Sequence, residues 1–242
     1  MVPNSNLEKP SSPAVDEKCY PYKNLVGCLM YLSVATRPDI AYATSVLSQF
    51  NSNHEKEYWE AAKRVLRYLK GTLNHGLVYK RAGADLAGYV DADWGNCPRN
   101  RRSYTGFVFK VADAAVTWEA RKQKTVALSS TEAEYMAMSE ATKEAMYLQN
   151  LLEELGTPRE PIVLHNDNQG AIELVKNPVF HSQTKHIDVK HHFIRDAFED
   201  GRIRPVYMET ERMVADIFTK GLPRPKHKLC TCELGIFELA SF

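Results

Sequence analysis

The stretch Ser129-Ser-Thr-Glu-Ala-Glu-Tyr-Met-Ala-Met138 decides the fold, because it opens a long helix and places a carboxylate on that helix's apolar side. At about 100° per residue, Glu134 lies in line with Met138, Ala141 and Ala145, so its side chain points toward the core. A buried carboxylate that nothing neutralises is costly. Glu134 therefore predicts a cation, a proton or a metal ion inside the protein.

The neighbouring Glu132 has a different role. Its helical column runs through Met136, Ser139 and Lys143, which is the more polar side of the helix. It also follows Ser129 by three residues, the spacing of a capping box. We therefore assign Glu132 to the start of the helix.

The bulk composition indicates a globular intracellular protein. The chain has 242 residues, 44% of them hydrophobic, and a formal net charge of +1. No apolar run reaches the roughly 18 residues of a membrane span, and five scattered cysteines without a C-x-x-C pair favour reduced thiols. We expect a cytoplasmic or nuclear location, no membrane contact, and nucleic-acid binding only through local basic patches.

Periodicity divides the chain into a flexible lead, a helical segment and an α/β region. Residues 1–18 are rich in Pro and Ser and predict no structure. Helical spacing covers 22–36, 40–50 and 54–73. After residue 83 we predict three antiparallel strands (86–94, 104–111, 115–119), the long helix (130–155), a strand (162–166), two helices (169–176, 184–198), a strand (203–208) and a terminal helix (211–220).

Further carboxylates stand where they could meet Glu134. Asp91 and Asp93 lie two apart on the first predicted strand and share one face. Asp167 closes the fourth strand just before a helix, the position where ligands gather in sheets with parallel strands. Asp216 lies in the predicted terminal helix. The residues alone do not choose between Asp91 and Asp93.

Six short motifs identify a resemblance to the ribonuclease H domain of copia-type retrotransposon polyproteins. The motifs are Tyr89-Val-Asp-Ala-Asp-Trp94, Arg101-Arg-Ser-Tyr-Thr-Gly106, Ser129-Ser-Thr-Glu-Ala-Glu-Tyr135, His165-Asn-Asp-Asn168, Thr184-Lys-His-Ile-Asp188 and Ala215-Asp-Ile-Phe-Thr-Lys220. Upstream, Thr36-Arg-Pro-Asp-Ile-Ala-Tyr42 and Ala62-Lys-Arg-Val-Leu-Arg-Tyr-Leu-Lys-Gly71 resemble the segment that follows the reverse transcriptase in such polyproteins. The resemblance implies a ribonuclease H-like α/β fold over 83–242, a mixed five-stranded sheet flanked by helices, preceded by an α-helical remnant over 19–82.

The resemblance also implies a metal-dependent nuclease. The family's metal-binding and catalytic carboxylates fall on Asp91, Glu134, Asp167 and Asp216, with Asp91 preferred over Asp93. Two Mg²⁺ or Mn²⁺ ions about 3.5–4 Å apart would activate water and stabilise the departing oxygen. The implied reaction is endonucleolytic hydrolysis of the RNA strand in RNA–DNA hybrids.

Two of the carboxylates could have roles other than metal binding, and the chain as a whole could have another function. Asp216 has Arg212 and Lys220 four residues away on either side, which is the spacing of ordinary helical ion pairs. Asp167 could only cap a helix, although Asn168 is available for that task. The alternative function is a catalytically silent, truncated or domesticated transposon protein that binds nucleic acid or another protein.

The expected partners are an RNA–DNA hybrid and the reverse transcriptase portion of the parent polyprotein. Polymerase activity is not expected, because no Tyr-x-Asp-Asp turn is present. Apolar surface on helices 22–73 is expected to be exposed where that portion is absent. Candidate contacts to the hybrid are Arg101, Arg102, Asn168, Lys185, Lys190 and Arg195, the last of which we place on the polar face of its helix.

Overall fold

The chain folds into a five-stranded mixed sheet with helices on both faces and a small two-stranded sheet beside it. The computed structural model describes residues 20–81, 85–177 and 185–239, with the backbone alone over 185–191. The helices are α1 (Tyr22–Ala35), α2 (Ala41–Ser48), α3 (Lys56–Lys70), α4 (Ser130–Glu154), α5 (Gln169–Lys176), α6 (Lys185–Glu199) and α7 (Arg224–Glu233). The strands are β1 (His75–Leu77), β2 (Ala87–Asp93), β3 (Tyr104–Val111), β4 (Ala114–Lys122), β5 (Ile162–Asn166), β6 (Ile203–Tyr207) and β7 (Ile236–Glu238). Short 3₁₀ helices cover Pro38–Ile40, Thr210–Arg212 and Val214–Phe218.

The large sheet has the strand order β4-β3-β2-β5-β6. Strands β2, β3 and β4 form an antiparallel meander, whereas β5 runs parallel to β2 and β6 parallel to β5. The carboxyl ends of β2 and β5 consequently lie at the same edge, where sheets with parallel strands place their ligands. This is the mixed sheet that the resemblance implies.

Apolar side chains cover both faces of the sheet. Helices α4 and α6 pack on one face, around Val90, Leu164 and Met138. On the other face the 3₁₀ segment Val214–Phe218 and α7 pack around Val108. No helix in these described ranges is long and apolar enough to cross a membrane.

Helices α1 to α3 form a separate apolar cluster against the meander. Their core includes Tyr22, Leu47 and Val65. The indole of Trp118 on β4 donates to the Ser33 carbonyl of α1 at 2.7 Å, which ties the helical segment to the sheet. Strand β1, which follows α3, pairs antiparallel with β7 near the end of the described chain.

The terminal helix predicted over 211–220 is wrong. Met213, with φ −66° and ψ 105°, is extended and separates two short 3₁₀ helices. All five residues of Val214–Phe218 are buried, because the segment packs on β3 at Gly106, where no Cβ keeps it away. The last helix is α7, after Pro223, and neither α7 nor β1 and β7 was predicted. The flexible lead over 1–18 and the boundary at 82–83 lie outside the described residues.

Candidate metal centre

The site forms where β2 and β5 separate. The two strands pair in parallel as far as Tyr89 and His165, whose rings stack with centroids 4.9 Å apart. Asp91 and Asp167 each lie two residues beyond this pair. Because side chains alternate along a strand, Asp91 projects on the face that carries the Tyr89 ring, and Asp167 directly follows the last residue of β5.

Asn166 fills the gap between the separating strands. Its buried amide donates to the Val90 carbonyl at 3.1 Å and to Glu134 Oε2 at 2.9 Å. Glu134 reaches this gap from the first turns of α4. One oxygen each from Asp91, Glu134 and Asp167 then lies within 4.8 Å of the other two. Carboxylate oxygens are the hard ligands that Mg²⁺ and Mn²⁺ prefer, so these three side chains could hold such an ion.

The electrostatics of the three carboxylates favour such a cation. Asp91 is 2% exposed and Glu134 is 5% exposed. Burial raises the pKa of Asp91 to about 6, and the neighbouring Asp216 and Asp167 add to this rise, which Lys220 opposes. Burial, and then repulsion from Asp91, raises the pKa of Glu134 well above its ordinary value. A divalent ion would relieve both effects.

Two hydroxyl groups hold the site from the other side. Thr219 Oγ1 donates to Asp91 Oδ2, and Thr210 Oγ1 donates to Asp167 Oδ2 at 2.8 Å. Both threonines belong to the region between β6 and α7, which the sequence assigned to a loop and one continuous helix. The 3₁₀ segments of this region therefore position the ligands contributed by the strands.

Asp216 lies outside the group of three. Its carboxylate, 4% exposed, pairs with Lys220 Nζ at 2.9 Å and with Lys226 Nζ at 3.5 Å. Lys220 Nζ also lies 3.5 Å from Asp91 Oδ2. Burial lowers the pKa of Lys220, but attraction to Asp91 and Asp216 outweighs it and holds the pKa above its ordinary value. The ion pair with Lys220 is the simpler explanation that the sequence left open.

Asp93 is placed differently from Asp91. It lies at the last position of β2, and the side-chain amide of Asn96 donates to its Oδ2. Burial raises the pKa of Asp93. The group of three converging carboxylates contains Asp91 and does not contain Asp93.

Glu132 behaves as its position predicts. It is the third residue after the N-cap Ser129, whose Oγ accepts from the Glu132 amide at 3.1 Å. The Glu132 carboxylate accepts from the Leu128 amide at 2.7 Å. The sequence thus separates the two glutamates correctly, since Glu132 closes the helix end and Glu134 lies in the interior.

The residues expected to contact nucleic acid fall into different environments. Arg101 is exposed, with φ 53°, in the turn between β2 and β3, and Arg102 is half-buried beside it. Asn168 caps α5, since its Oδ1 accepts from the Ala171 amide at 2.9 Å. The side chains of Lys185 and Lys190 lie outside the described residues.

Arg195, which we placed on the polar face of its helix as a contact to the hybrid, is buried. The residue is 7% exposed, and its guanidinium donates to the carbonyls of Leu174 at 3.3 Å and Asn177 at 2.9 Å. These carbonyls belong to the end of α5, where helix geometry leaves oxygens without partners. Arg195 therefore stabilises the contact between α5 and α6.

Sequence reasoning missed four residues that shape the site, namely Asn166, Thr210, Thr219 and Lys226, whereas its spacing from Asp216 had already marked Lys220. Asn166 occupies a core-facing position in a β-strand that is otherwise apolar on that face, and this pattern was the available signal. The other three become visible only when the segment after β6 folds back over β3.

Comparison with known proteins finds transposon polyproteins and shorter proteins among the relatives of the chain. No family model matches the chain. It is 45% identical over 216 residues to the retrovirus-related Pol polyprotein from transposon TNT 1-94 of Nicotiana tabacum, a match covering 89% of this chain and 16% of that protein. It is 55% identical over 132 residues to secreted RxLR effector protein 161 of Plasmopara viticola, covering 54% of this chain and 93% of that protein. The chain thus spans about a sixth of the length of the Pol polyprotein.

Among solved structures, the foamy viral protease-reverse transcriptase in complex with RNA/DNA hybrid resembles the chain with a TM-score of 0.50. The sequences are 16% identical, and the match covers 89% of this chain and 27% of that one. The predicted ribonuclease H-like α/β fold, with its mixed five-stranded sheet, is confirmed.

Proposed function

Because the chain belongs to the family of retrovirus-related Pol polyproteins from copia-type transposons, we propose that it is a metal-dependent ribonuclease H that hydrolyses the RNA strand of RNA–DNA hybrids. One observation carries the proposal. Oxygens of Asp91, Glu134 and Asp167 converge within 4.8 Å at the edge where β2 and β5 separate. Such a cluster in a ribonuclease H-like fold supports phosphodiester hydrolysis.

The chemistry divides between the ions and the side chains that hold them. When bound, Mg²⁺ or Mn²⁺ would supply an activated water and neutralise charge on the departing oxygen. Asn166 fixes the orientation of Glu134, and Thr219 fixes that of Asp91. Asp167 is half-buried and therefore borders the side from which a substrate phosphate would enter. We assign Asp216 to this ligand set as its fourth member.

Recognition of the hybrid is expected to be local. With a net charge of +1 the chain has little general attraction for nucleic acid. The exposed Arg101 in the β2–β3 turn is the clearest phosphate contact among the candidates. Discrimination of RNA from DNA would rest on contacts to 2′-hydroxyl groups.

We also propose that the reverse transcriptase portion of the polyprotein contacts helix α1. Tyr31 and Val34 lie on one side of this helix and are exposed, as expected for a surface that another part of the polyprotein covers. The chain spans only 16% of its transposon relative, so most of that relative's length lies outside the matched region. Contact with the reverse transcriptase portion would strengthen the binding of a nucleic-acid duplex.

A second candidate is a silent module that binds hybrids without cutting them. One observation favours it: both oxygens of Asp216 face lysine ammonium groups instead of the three converging carboxylates. In that case Asp216 would not bind a metal ion, and the set of four metal ligands would be incomplete.

The two candidates are separated by cleavage of a labelled RNA–DNA hybrid in Mg²⁺ and in Mn²⁺, with a DNA duplex of the same sequence alongside. Glu134→Gln should abolish cleavage, whereas Glu132→Gln, two residues away at the helix start, should retain it. Circular dichroism checks that both variants fold. Hybrid binding without metal-dependent cleavage by the wild type would reject the nuclease and leave the silent module.

A further inference from the structure

Lys220 places a positive charge inside the carboxylate cluster. Its Nζ lies 2.9 Å from Asp216 Oδ1 and 3.5 Å from Asp91 Oδ2, so one ammonium bridges two of the four proposed ligands. Both carboxylates are buried, and in a site of low dielectric such a bridge strongly lowers their repulsion. The ammonium lies where an ion shared by Asp91 and Asp216 would lie.

Lys226 binds the other side of Asp216 in a different way. Its Nζ lies 3.5 Å from Asp216 Oδ2, and it also donates to the backbone carbonyls of Thr210, at 3.1 Å, and Glu211. These backbone contacts hold Lys226 in place. Lys220 is held by the carboxylates, and its side chain is 32% exposed on a flexible stem. It is thus the ammonium that can leave.

We propose that Lys220 is a built-in cation that fills the second ion position, so that the free protein takes one divalent ion, among Asp91, Glu134 and Asp167. This inference rests on the proposed function. Charge balance supports it, because two lysines and one divalent ion neutralise the four carboxylates. A second ion would leave the cluster with excess positive charge unless Lys220 moved out toward solvent or toward a substrate phosphate. Lys220 is therefore a positioning residue that couples entry of the second ion to its own departure.

The test is the stoichiometry of Mn²⁺ binding to the full chain without nucleic acid, measured by calorimetry and by the loss of the free-ion electron paramagnetic resonance signal. We expect one ion per wild-type chain. Lys220→Met, which keeps the length of the side chain and removes its charge, should bind two, the second at least tenfold more tightly than in the wild type. Lys220→Arg should bind one. Lys143→Met, which removes an exposed lysine paired with Glu140, is the matched control and should also bind one.

The possible results separate the two proposals. Two ions on the wild type at similar affinity would overturn the inference and leave the nuclease intact, and so would a single ion on a folded Lys220→Met variant. If the wild type binds no Mn²⁺, the metal-dependent function itself fails. The wild-type stoichiometry needs no variant, so the inference remains testable even if Lys220→Met does not fold.

Discussion

Replacing Gly106 with alanine should disturb the site through the segment that packs on β3. Gly106 lies opposite Asp91 in the ladder between β2 and β3. A Cβ there would lie 2.7 Å from Phe218 Cβ and 2.7 Å from Thr219 Cγ2. Carbon atoms in contact lie about 3.5–4.0 Å apart, so the segment Val214–Phe218 would have to retreat by roughly 1 Å. That retreat would pull Thr219 away from Asp91.

The cost follows from these contacts. Overpacking of this kind costs about 1–3 kcal/mol. Weakening the hydrogen bond from Thr219 to the Asp91 carboxylate adds about 1.5 kcal/mol or more. We expect the free energy of unfolding to fall by roughly 3 kcal/mol, which for a urea slope of about 2 kcal/mol per M lowers the midpoint by about 1.5 M. Urea unfolding followed by circular dichroism measures this, and calorimetry should show weaker Mn²⁺ binding.

Gly88→Ala is the matched control on the neighbouring strand. Its Cβ would lie 2.5 Å from Leu164 Cδ2 and 2.7 Å from Phe109 Cε1, which are the ends of side chains in the core under α4. We expect this variant to lose stability as well but to bind Mn²⁺ like the wild type. If Gly106→Ala also kept wild-type Mn²⁺ affinity, the close approach at Gly106 would not be what positions Asp91.

Three further predictions test other contacts. Asn166→Ala should lower Mn²⁺ affinity by about 10–100-fold, because it frees the Glu134 carboxylate; unchanged affinity in calorimetry would contradict this. Asp39→Ala should cost about 3–5 kcal/mol, because it leaves the buried Arg37 guanidinium without its carboxylate partner. Arg37→Met with Asp39→Leu should recover most of this loss in urea unfolding, and a double variant as unstable as the single one would argue against the reasoning. Because the pKa of Asp91 is raised from 3.8 to about 6, the folded state binds more protons than the unfolded state in between, and metal-free stability should fall as pH rises through this window. Melting temperatures in EDTA should show a smaller fall for Asp91→Asn than for the wild type, because the raised pKa of Glu134 keeps its own share, and parallel pH curves for the two proteins would refute the assignment.

Helical phase and the predicted strand ends were enough to place Glu134 in the interior and Asp167 at the carboxyl end of its strand. Both depend on local periodicity, which the tertiary fold preserved: Glu134 is buried in α4, and the ends of β2 and β5 meet. The bounds of β3, β5 and α5 agree with the sequence to the residue for the same reason.

The surroundings of Asp216 could not be predicted, because its spacing from Lys220 suits a helical pair as well as a ligand. The outcome depends on Gly106, more than one hundred residues earlier, whose missing Cβ admits a tight 3₁₀ segment. Arg195 shows a related limit. The amphipathic pattern gives the polar side of α6, but a long side chain on that side can still fold over a neighbouring helix end.

The pairing of β1 with β7 sets an order of events during synthesis. His75 meets Glu238, about 160 residues later, so a ribosome adding roughly 5–20 residues per second needs about 8–30 s between making the two strands. The segment with Asp216 and Lys220 lies shortly before β7, and α7, which packs on it, leads directly into that strand. During synthesis, Asp91, Glu134 and Asp167 would therefore be made well before the segment that contains Lys220 and Lys226. The three carboxylates would be without these two cations until the segment from Lys220 to Lys226 was made.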